Sequence, residues 1–209
     1  ALAIVITWLA VGLYLTWLAF ICFGLALVLL DAIPVLFGYV RTENLYHYLI
    51  HSELFFVLVL WPLFLPKQIS PMQIRTVLMQ VVFLFASVLP LALICQTMAN
   101  LDLLTFFKGQ LLAAVLACFV AALFSFTSHR SIYYFGFFVI AAGFPFVHYL
   151  SLEFGGTSLR VLSTLSPFWA ASRMELESIV LIQCALYGAA AVGLLLGPAF
   201  LRKTRSTAA

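Results

Sequence analysis

Histidines and acidic residues are the side chains with which this chain could bind a metal or transfer a proton. His47 and His51 are separated by four positions, which places both imidazoles on one face of a helix, and Glu53 follows two positions later. The spacing differs from the HExxH motif of zinc enzymes, and Glu53 falls on another face of the helix. These residues therefore do not predict a zinc site.

A second histidine pairing depends on depth in a membrane. His51 is expected near one end of the second apolar run, and His148 near the same end of the fifth. Two histidines at equal depth can ligate a haem from its two faces. In the alternative interpretation both are interfacial residues that hydrogen-bond lipid headgroups and loop carbonyls. We predict no cofactor, with haem at His51 and His148 as the alternative.

The sequence lacks the residues that nucleotide binding, nucleophilic catalysis or proton pumping would require. The sequence contains no nucleotide-binding glycine loop, no GxSxG motif and no catalytic dyad at a convincing spacing. Glu53 and Lys108 are expected about one turn from the ends of their helices, so no charge is predicted inside the membrane and a pump driven by buried carboxylates is disfavoured. The chain is predicted not to be an enzyme, and any ATP must be hydrolysed by another chain.

The elements that position these residues follow from composition. The chain of 209 residues is 66% hydrophobic and 8% charged, whereas about a quarter of the residues of a soluble domain are charged. Its apolar runs are about 20 residues long, enough to cross a bilayer as helices, and they lack the alternation of a membrane β-barrel. We predict an all-α polytopic membrane protein, and nothing in the composition implies nucleic acid.

The runs predict six spans in a single transmembrane domain, 1–209. The spans cover about 1–30, 49–65, 77–98, 106–126, 132–152 and 178–201. Residues 31–48 are predicted to form a connection or a surface helix, and residues 153–177 to pack as short helices at the membrane surface. Pro62 and Pro90 are expected to kink their spans, with neighbouring helices satisfying the freed carbonyl groups.

Basic residues set the expected orientation. One side carries basic residues without acids: Lys67, Arg75, Arg130, Arg202, Lys203 and Arg205. The other side carries mixed charge. Because cytoplasmic loops of membrane proteins collect Lys and Arg, both termini are predicted to be cytoplasmic, in a bacterial inner membrane.

Three short motifs carry a family resemblance. They are Leu-Pro-Lys-Gln-Ile-Ser-Pro at 65–71, the stretch 108–130 from Lys-Gly-Gln-Leu-Leu to Ser-His-Arg, and Leu-Ser-Pro-Phe at 165–168. With the order of spans and loops, they make residues 49–201 resemble the membrane (permease) subunit of type-2 ABC exporters. The acidic stretch usual in the inner loop of that family is missing here.

The resemblance implies a non-catalytic subunit that works with a separate ATPase subunit and a second permease subunit, as a homo- or heterodimer in lipid. The loop that docks on the ATPase would comprise Gln68, Ile69, Ser70, Pro71, Met72, Gln73 and Arg75. Ser166, Pro167 and Phe168 would belong to a re-entrant outer segment, over a path lined by the second and fifth spans.

A different class of function remains open at this point. An accessory or anchor subunit of a larger respiratory or photosynthetic membrane complex would also be apolar, helical and non-catalytic. Haem at His51 and His148 would accompany that alternative. A structural scaffold without a cofactor is the third hypothesis, and the fold alone does not distinguish the three.

Overall fold

The computed structural model of the chain describes residues 11–23, 44–66, 69, 71–126, 129–155, 159–174 and 177–207. The regular secondary structure of this described part consists of helices joined by short turns, and five of the helices are long and apolar enough to cross a membrane. The prediction of an all-α polytopic membrane protein is confirmed.

We number the helices in chain order. They are α1 (Val11–Phe23), α2 (Leu45–Leu63), α3 (Pro71–Met98), α4 (Leu103–Phe126), α5 (130–155), α6 (Arg160–Ser163), α7 (Pro167–Ala171) and α8 (Glu177–Thr207). The five membrane-length helices are α2, α3, α4, α5 and α8. The remainder of the predicted first span, and residues 31–43, lie outside the described residues, so the count of six spans stays a prediction.

Helix α4 lies at the centre of the described bundle. It packs most extensively against α8 and also contacts α2 and α3. Its buried residues include Leu112, Ala113, Leu116, Ala117 and Val120. The repeated alanines let neighbouring helices approach closely, which is how helices associate inside a membrane. About half of the helix that carries Lys108 and Gln110 is therefore buried by its neighbours.

Helix α2 begins earlier than predicted. Residues 31–48 were expected to form a connection, but Leu45–Tyr48 make up the first turn of α2. Tyr46 is fully buried, and its hydroxyl donates a 2.6 Å hydrogen bond to the Phe106 carbonyl of α4. The expectation was wrong because Leu45 and Tyr46 pack into the bundle, although polar residues flank them.

Helix α2 changes its type along its length. It is α-helical over Leu45–Phe55, π-helical over Phe56–Leu60 and 3₁₀-helical over Trp61–Leu63. Pro62 has no N–H, so the Leu58 carbonyl, four residues earlier, loses its usual donor. The Tyr133 hydroxyl of α5 donates to that carbonyl at 2.7 Å. A neighbouring helix thus satisfies the carbonyl freed by Pro62, as predicted.

Helix α5 is interrupted in the same way. It is α-helical over Arg130–Phe138, π-helical over Val139–Gly143 and α-helical again over Phe144–Gly155. Pro145 removes the donor four residues after Ala141. The Ser166 hydroxyl, which precedes α7, donates to the Ala141 carbonyl at 2.9 Å. Helix α3, by contrast, runs through Pro90 without a change of helix type.

The loop between α2 and α3 is shorter than predicted. Helix α3 begins at Pro71 rather than near Val77. Proline suits the first turn of a helix, where its missing N–H would have no partner in any case. Met72, Gln73 and Arg75 therefore belong to α3 and not to a loop.

The segment before α8 packs as short helices, as predicted. Helices α6 and α7 lie between α5 and α8, and α7 contacts both α2 and α8. Ser166, Pro167, Ala170 and Ala171 are buried. This segment and residues 64–69 lie at opposite ends of α2, because His47 contacts Ala171 whereas Leu65 contacts Arg130.

Candidate functional site

Glu53 is buried in the middle of α2. Its side chain has 0% exposure, and it stands eight positions after Leu45 and ten before Leu63. At 1.5 Å per residue it lies about 12 Å from one end of the helix and about 15 Å from the other. The prediction that no charged residue lies inside a span is wrong, because α2 starts four residues before the predicted 49.

The Glu53 carboxyl group is only partly hydrogen-bonded. The side-chain amide of Gln110, on α4, donates to its Oε2 atom at 3.2 Å. The Oε1 atom is buried without a hydrogen-bond partner. Buried side-chain oxygens normally have a partner, so an unpaired one at a carboxyl group inside an apolar helix makes Glu53 a candidate functional residue.

Close packing of α2 on α4 seals one side of this group. Gly109 lies where the two helices meet, and a Cβ atom there would stand 2.6 Å from the Tyr46 hydroxyl and 2.9 Å from the Met174 sulfur. Only glycine fits such an approach without a shift of its neighbours. The Tyr46 hydroxyl in turn is held by the Phe106 carbonyl.

Aromatic residues and α1 lie on the other side. Tyr14 of α1 is within electrostatic reach of Glu53, and its hydroxyl is hydrogen-bonded to the Ser87 hydroxyl of α3. The Tyr14 ring meets Phe56 edge-on with centroids 5.5 Å apart, and Trp17 stacks on Phe56 at 4.8 Å. Glu53 is thus fully buried, with the Gln110 amide of α4 as its hydrogen-bonding neighbour and Tyr14 of α1 within electrostatic reach.

Lys108 also lies deeper than predicted. It was expected to extend from the start of its span to the membrane surface, but its side chain is only 6% exposed. It is two positions before Gln110 on α4, and residues two apart on a helix do not share a face. Its positive charge contributes to lowering the pKa of Asp102, which immediately precedes α4.

Span length contains a signal that could have located Glu53. A stretch of about 20 residues counted back from Leu65 begins at Tyr46, which puts Glu53 well inside the helix. The polar residues Glu43, Asn44 and His47 instead indicate a later start. The partner Gln110 carried no such signal, since its proximity to Glu53 depends on how α2 and α4 pack.

The predicted coupling residues are only partly described. Gln68 and Ser70 lie outside the described residues, as do the side chains of Pro71 and Met72. The Ile69 side chain is buried, and its backbone N–H donates to the Phe124 carbonyl at 3.1 Å. Gln73 and Arg75 are exposed on α3. Among the coupling residues whose side chains the structure describes, those that could meet a partner are therefore on the first turns of α3.

The end of the loop is joined to the α4–α5 connection. The Arg130 guanidinium donates to the Leu65 carbonyl, and the Tyr134 hydroxyl donates to the Val59 carbonyl at 3.0 Å. Together with the Ile69 to Phe124 bond, these contacts tie the loop to α4 and α5. We call this arrangement, of Leu65, Ile69, Phe124 and Arg130, the loop junction.

The predicted outer residues are brought against α2, α5 and α8. Ser166 caps α7, with its hydroxyl accepting from the Trp169 N–H at 3.4 Å. The Gln183 amide of α8 donates to the Ser166 carbonyl at 2.9 Å. The Phe168 ring stacks on His51 and meets Phe137 edge-on, each with centroids 6.2 Å apart.

The two histidines of the haem alternative have different surroundings. The Nδ1 of His51 donates to the His47 carbonyl at 2.6 Å, which leaves the Nε2 lone pair as the potential ligand. The Nδ1 of His148 is buried without a hydrogen-bond partner. No described contact joins the two residues. Across the described ranges, no three His, Cys, Asp or Glu side chains converge as a metal site would require.

Comparison of the chain with protein-family models, with curated proteins and with solved structures gives no significant match.

Proposed function

We propose that the chain is the permease subunit of an ABC-type exporter, a non-catalytic membrane subunit that couples a separate ATPase to movement of a substrate. The observation that carries the proposal is the loop junction. A force applied to residues 66–75 would pass to α5 through the bond from the Arg130 side chain to the Leu65 carbonyl, and to α4 through the backbone bond from Ile69 to Phe124.

The spans that would line the path are the two that are interrupted. In α2 and α5 a π-helical segment precedes a proline, and π-helical segments in α-helices commonly occur at functional sites and hinges. The Tyr133 bond links the break in α2 to α5, and the Ser166 bond links the break in α5 to α7. Rigid tilting of α2 and α5 would therefore displace the outer segment as well.

Co-purification tests the ATPase partnership. The tagged chain is extracted in a mild detergent, and recovered proteins are identified by mass spectrometry and assayed for ATP hydrolysis. We expect an ATPase subunit with a nucleotide-binding loop to be recovered, and a second permease chain in the same particle. Recovery of the intact membrane complex without any ATPase would refute the proposal.

A matched pair of charge reversals locates the docking surface. Arg75→Glu alters an exposed cation at the start of α3, and should reduce ATPase recovery severalfold because rim charges steer association. Arg173→Glu alters an exposed cation at the opposite end of the bundle, near the Trp169 ring, and should leave recovery unchanged. Equal recovery with both variants would place the ATPase elsewhere.

A second candidate is an accessory or anchor subunit that holds a haem between His51 and His148. It is favoured by the free Nε2 of His51 and the unpartnered Nδ1 of His148. The purified protein would then show a Soret band that disappears in His51→Ala and persists in His129→Ala, whose histidine is exposed next to Arg130. Absence of the band from protein purified out of haem-replete cells would exclude this candidate.

A further inference from the structure

We propose that Glu53 is a proton-binding site inside the membrane, which holds a proton while α2 and α4 are packed together and releases it when they separate. The carboxyl group has 0% exposure, one oxygen bonded to Gln110 and the other without a partner. The inference does not depend on an ATPase partner, and it applies to any function of the bundle.

The packed arrangement suits a neutral carboxylic acid. An ionised carboxylate would place a full charge in the bundle with a single amide donor to balance it, and uncompensated buried charges are strongly destabilising. A protonated acid leaves only one polar atom unpaired, which is a much smaller penalty. The geometry at Glu53 therefore favours the protonated form, because a neutral acid needs no cationic partner to balance it.

The other titratable groups near Glu53 do not replace that proton with a positive charge. Tyr14 on α1 and Tyr46 on α2 are within electrostatic reach of Glu53, and a phenol supplies no positive charge in either protonation state. On α3, Cys95 is within electrostatic reach of Tyr46, and a thiol likewise supplies no positive charge. On α4 the charged residue is Lys108, whose charge acts on Asp102. Helix α7, which packs on the first turns of α2, has no titratable residue.

A route for release lies directly after Glu53. The Phe56 N–H is shared by the Ser52 and Glu53 carbonyl groups, at the point where α2 changes from α- to π-helix. A shift of the π-helical register by one residue would rotate the first part of α2 by about 100° relative to the rest. Such a rotation would carry Glu53 away from Gln110 and allow the acid to exchange its proton.

Infrared spectroscopy of the chain in lipid nanodiscs tests this. At neutral pH we expect the carbonyl stretch of a protonated carboxylic acid, absent from Glu53→Gln and retained in Glu153→Gln, which alters an exposed acid on α5. In alkaline buffer the band should be lost and should return on acidification, while the amide bands stay helical. If Glu53→Gln fails to fold, wild-type protein grown with isotope-labelled glutamate assigns the band instead.

Two results would overturn the proposal. Absence of the band at neutral pH would mean that Glu53 is ionised and balanced by a cation. A band that persists unchanged at every pH at which the helices survive would mean that the acid is a permanent structural group. Failure to recover an ATPase would leave either result unaffected, so the two proposals can fail separately.

Discussion

Helices α2 and α5 are broken in the same manner but stand in different surroundings. Each has a five-residue π-helical segment followed by a proline, and in each the carbonyl four residues before the proline is taken by a hydroxyl from another element. In the most apolar stretch of α2, 61% of the residues are buried, against 0% in α5.

The difference shows what such a break requires inside a membrane. No water is present to satisfy a freed carbonyl in the hydrocarbon region, so a protein donor is needed whether the helix is enclosed or exposed to lipid. Enclosed α2 receives its donor from α5, whereas α5 receives its donor from the segment before α7. The two hydroxyl groups therefore form a continuous connection from α2 through α5 to the segment before α7.

The largest effect is expected where α2 is most tightly enclosed. Gly109→Ala places a methyl group 2.6 Å from the Tyr46 hydroxyl and 2.9 Å from the Met174 sulfur, and should cost about 3 kcal/mol of unfolding free energy. The matched change in α5, Gly136→Ala, meets no atom within 4 Å and should be neutral or slightly stabilising. Denaturant unfolding in mixed micelles measures both. Equal losses of unfolding free energy in the two variants would contradict the contrast between the enclosed helix α2 and helix α5.

The second-largest loss of stability is expected when the hydroxyl that donates to the Ala141 carbonyl of α5 is removed. Ser166→Ala removes the bond to the Ala141 carbonyl and the cap of α7, and should cost about 2 kcal/mol. Pro145→Ala restores an N–H four residues after Ala141, so the double variant should recover part of that loss. The same unfolding assay applies. If Pro145→Ala gave no recovery, the loss would be due to the cap alone.

The donor to α2 is expected to have a smaller effect. Tyr133→Phe leaves the Leu58 carbonyl without its hydroxyl and should cost about 1 kcal/mol, since hydrogen bonds between membrane helices contribute modestly. Pro62→Ala should rescue it by the same logic. Tyr134→Phe, which loses a longer bond from a less buried ring, is the control and should cost less. A larger cost for Tyr134→Phe would reverse this ranking.

Sequence reasoning located the apolar helices but not the contacts between them. The interruption at Pro62 followed from the covalent structure of proline, and the short helices around Ser166 followed from composition. The identity of the donors, Tyr133 and Ser166, did not, because each is more than twenty residues away in sequence. The depth of Glu53 does not follow from the sequence, because His47 and His51 are typical of a membrane interface although both lie in a helix that starts at Leu45.

The smallest effect is expected at a helix end that faces water. Asp102 is exposed, and its Oδ1 accepts from the Thr105 N–H at 3.3 Å, in the first turn of the unbroken helix α4. Hydrogen bonding to the Thr105 side chain lowers the pKa of Asp102 below its usual value. A lowered pKa means that the contribution is present above the unfolded-state pKa of about 4 and is lost as pH falls through the folded-state value.

The melting temperature should therefore decrease slightly in wild-type protein on acidification, and the decrease should be smaller in Asp102→Ala. Water can replace the Asp102 carboxylate as a hydrogen-bond acceptor. The loss of stability in Asp102→Ala should therefore be well below that in Tyr133→Phe, whose carbonyl partner is enclosed by protein. Identical pH profiles for wild type and Asp102→Ala would show that the α4 end needs no side-chain partner. If Asp102→Ala lost as much stability as Tyr133→Phe, a hydrogen-bond partner at an exposed helix end would matter as much as one inside the bundle.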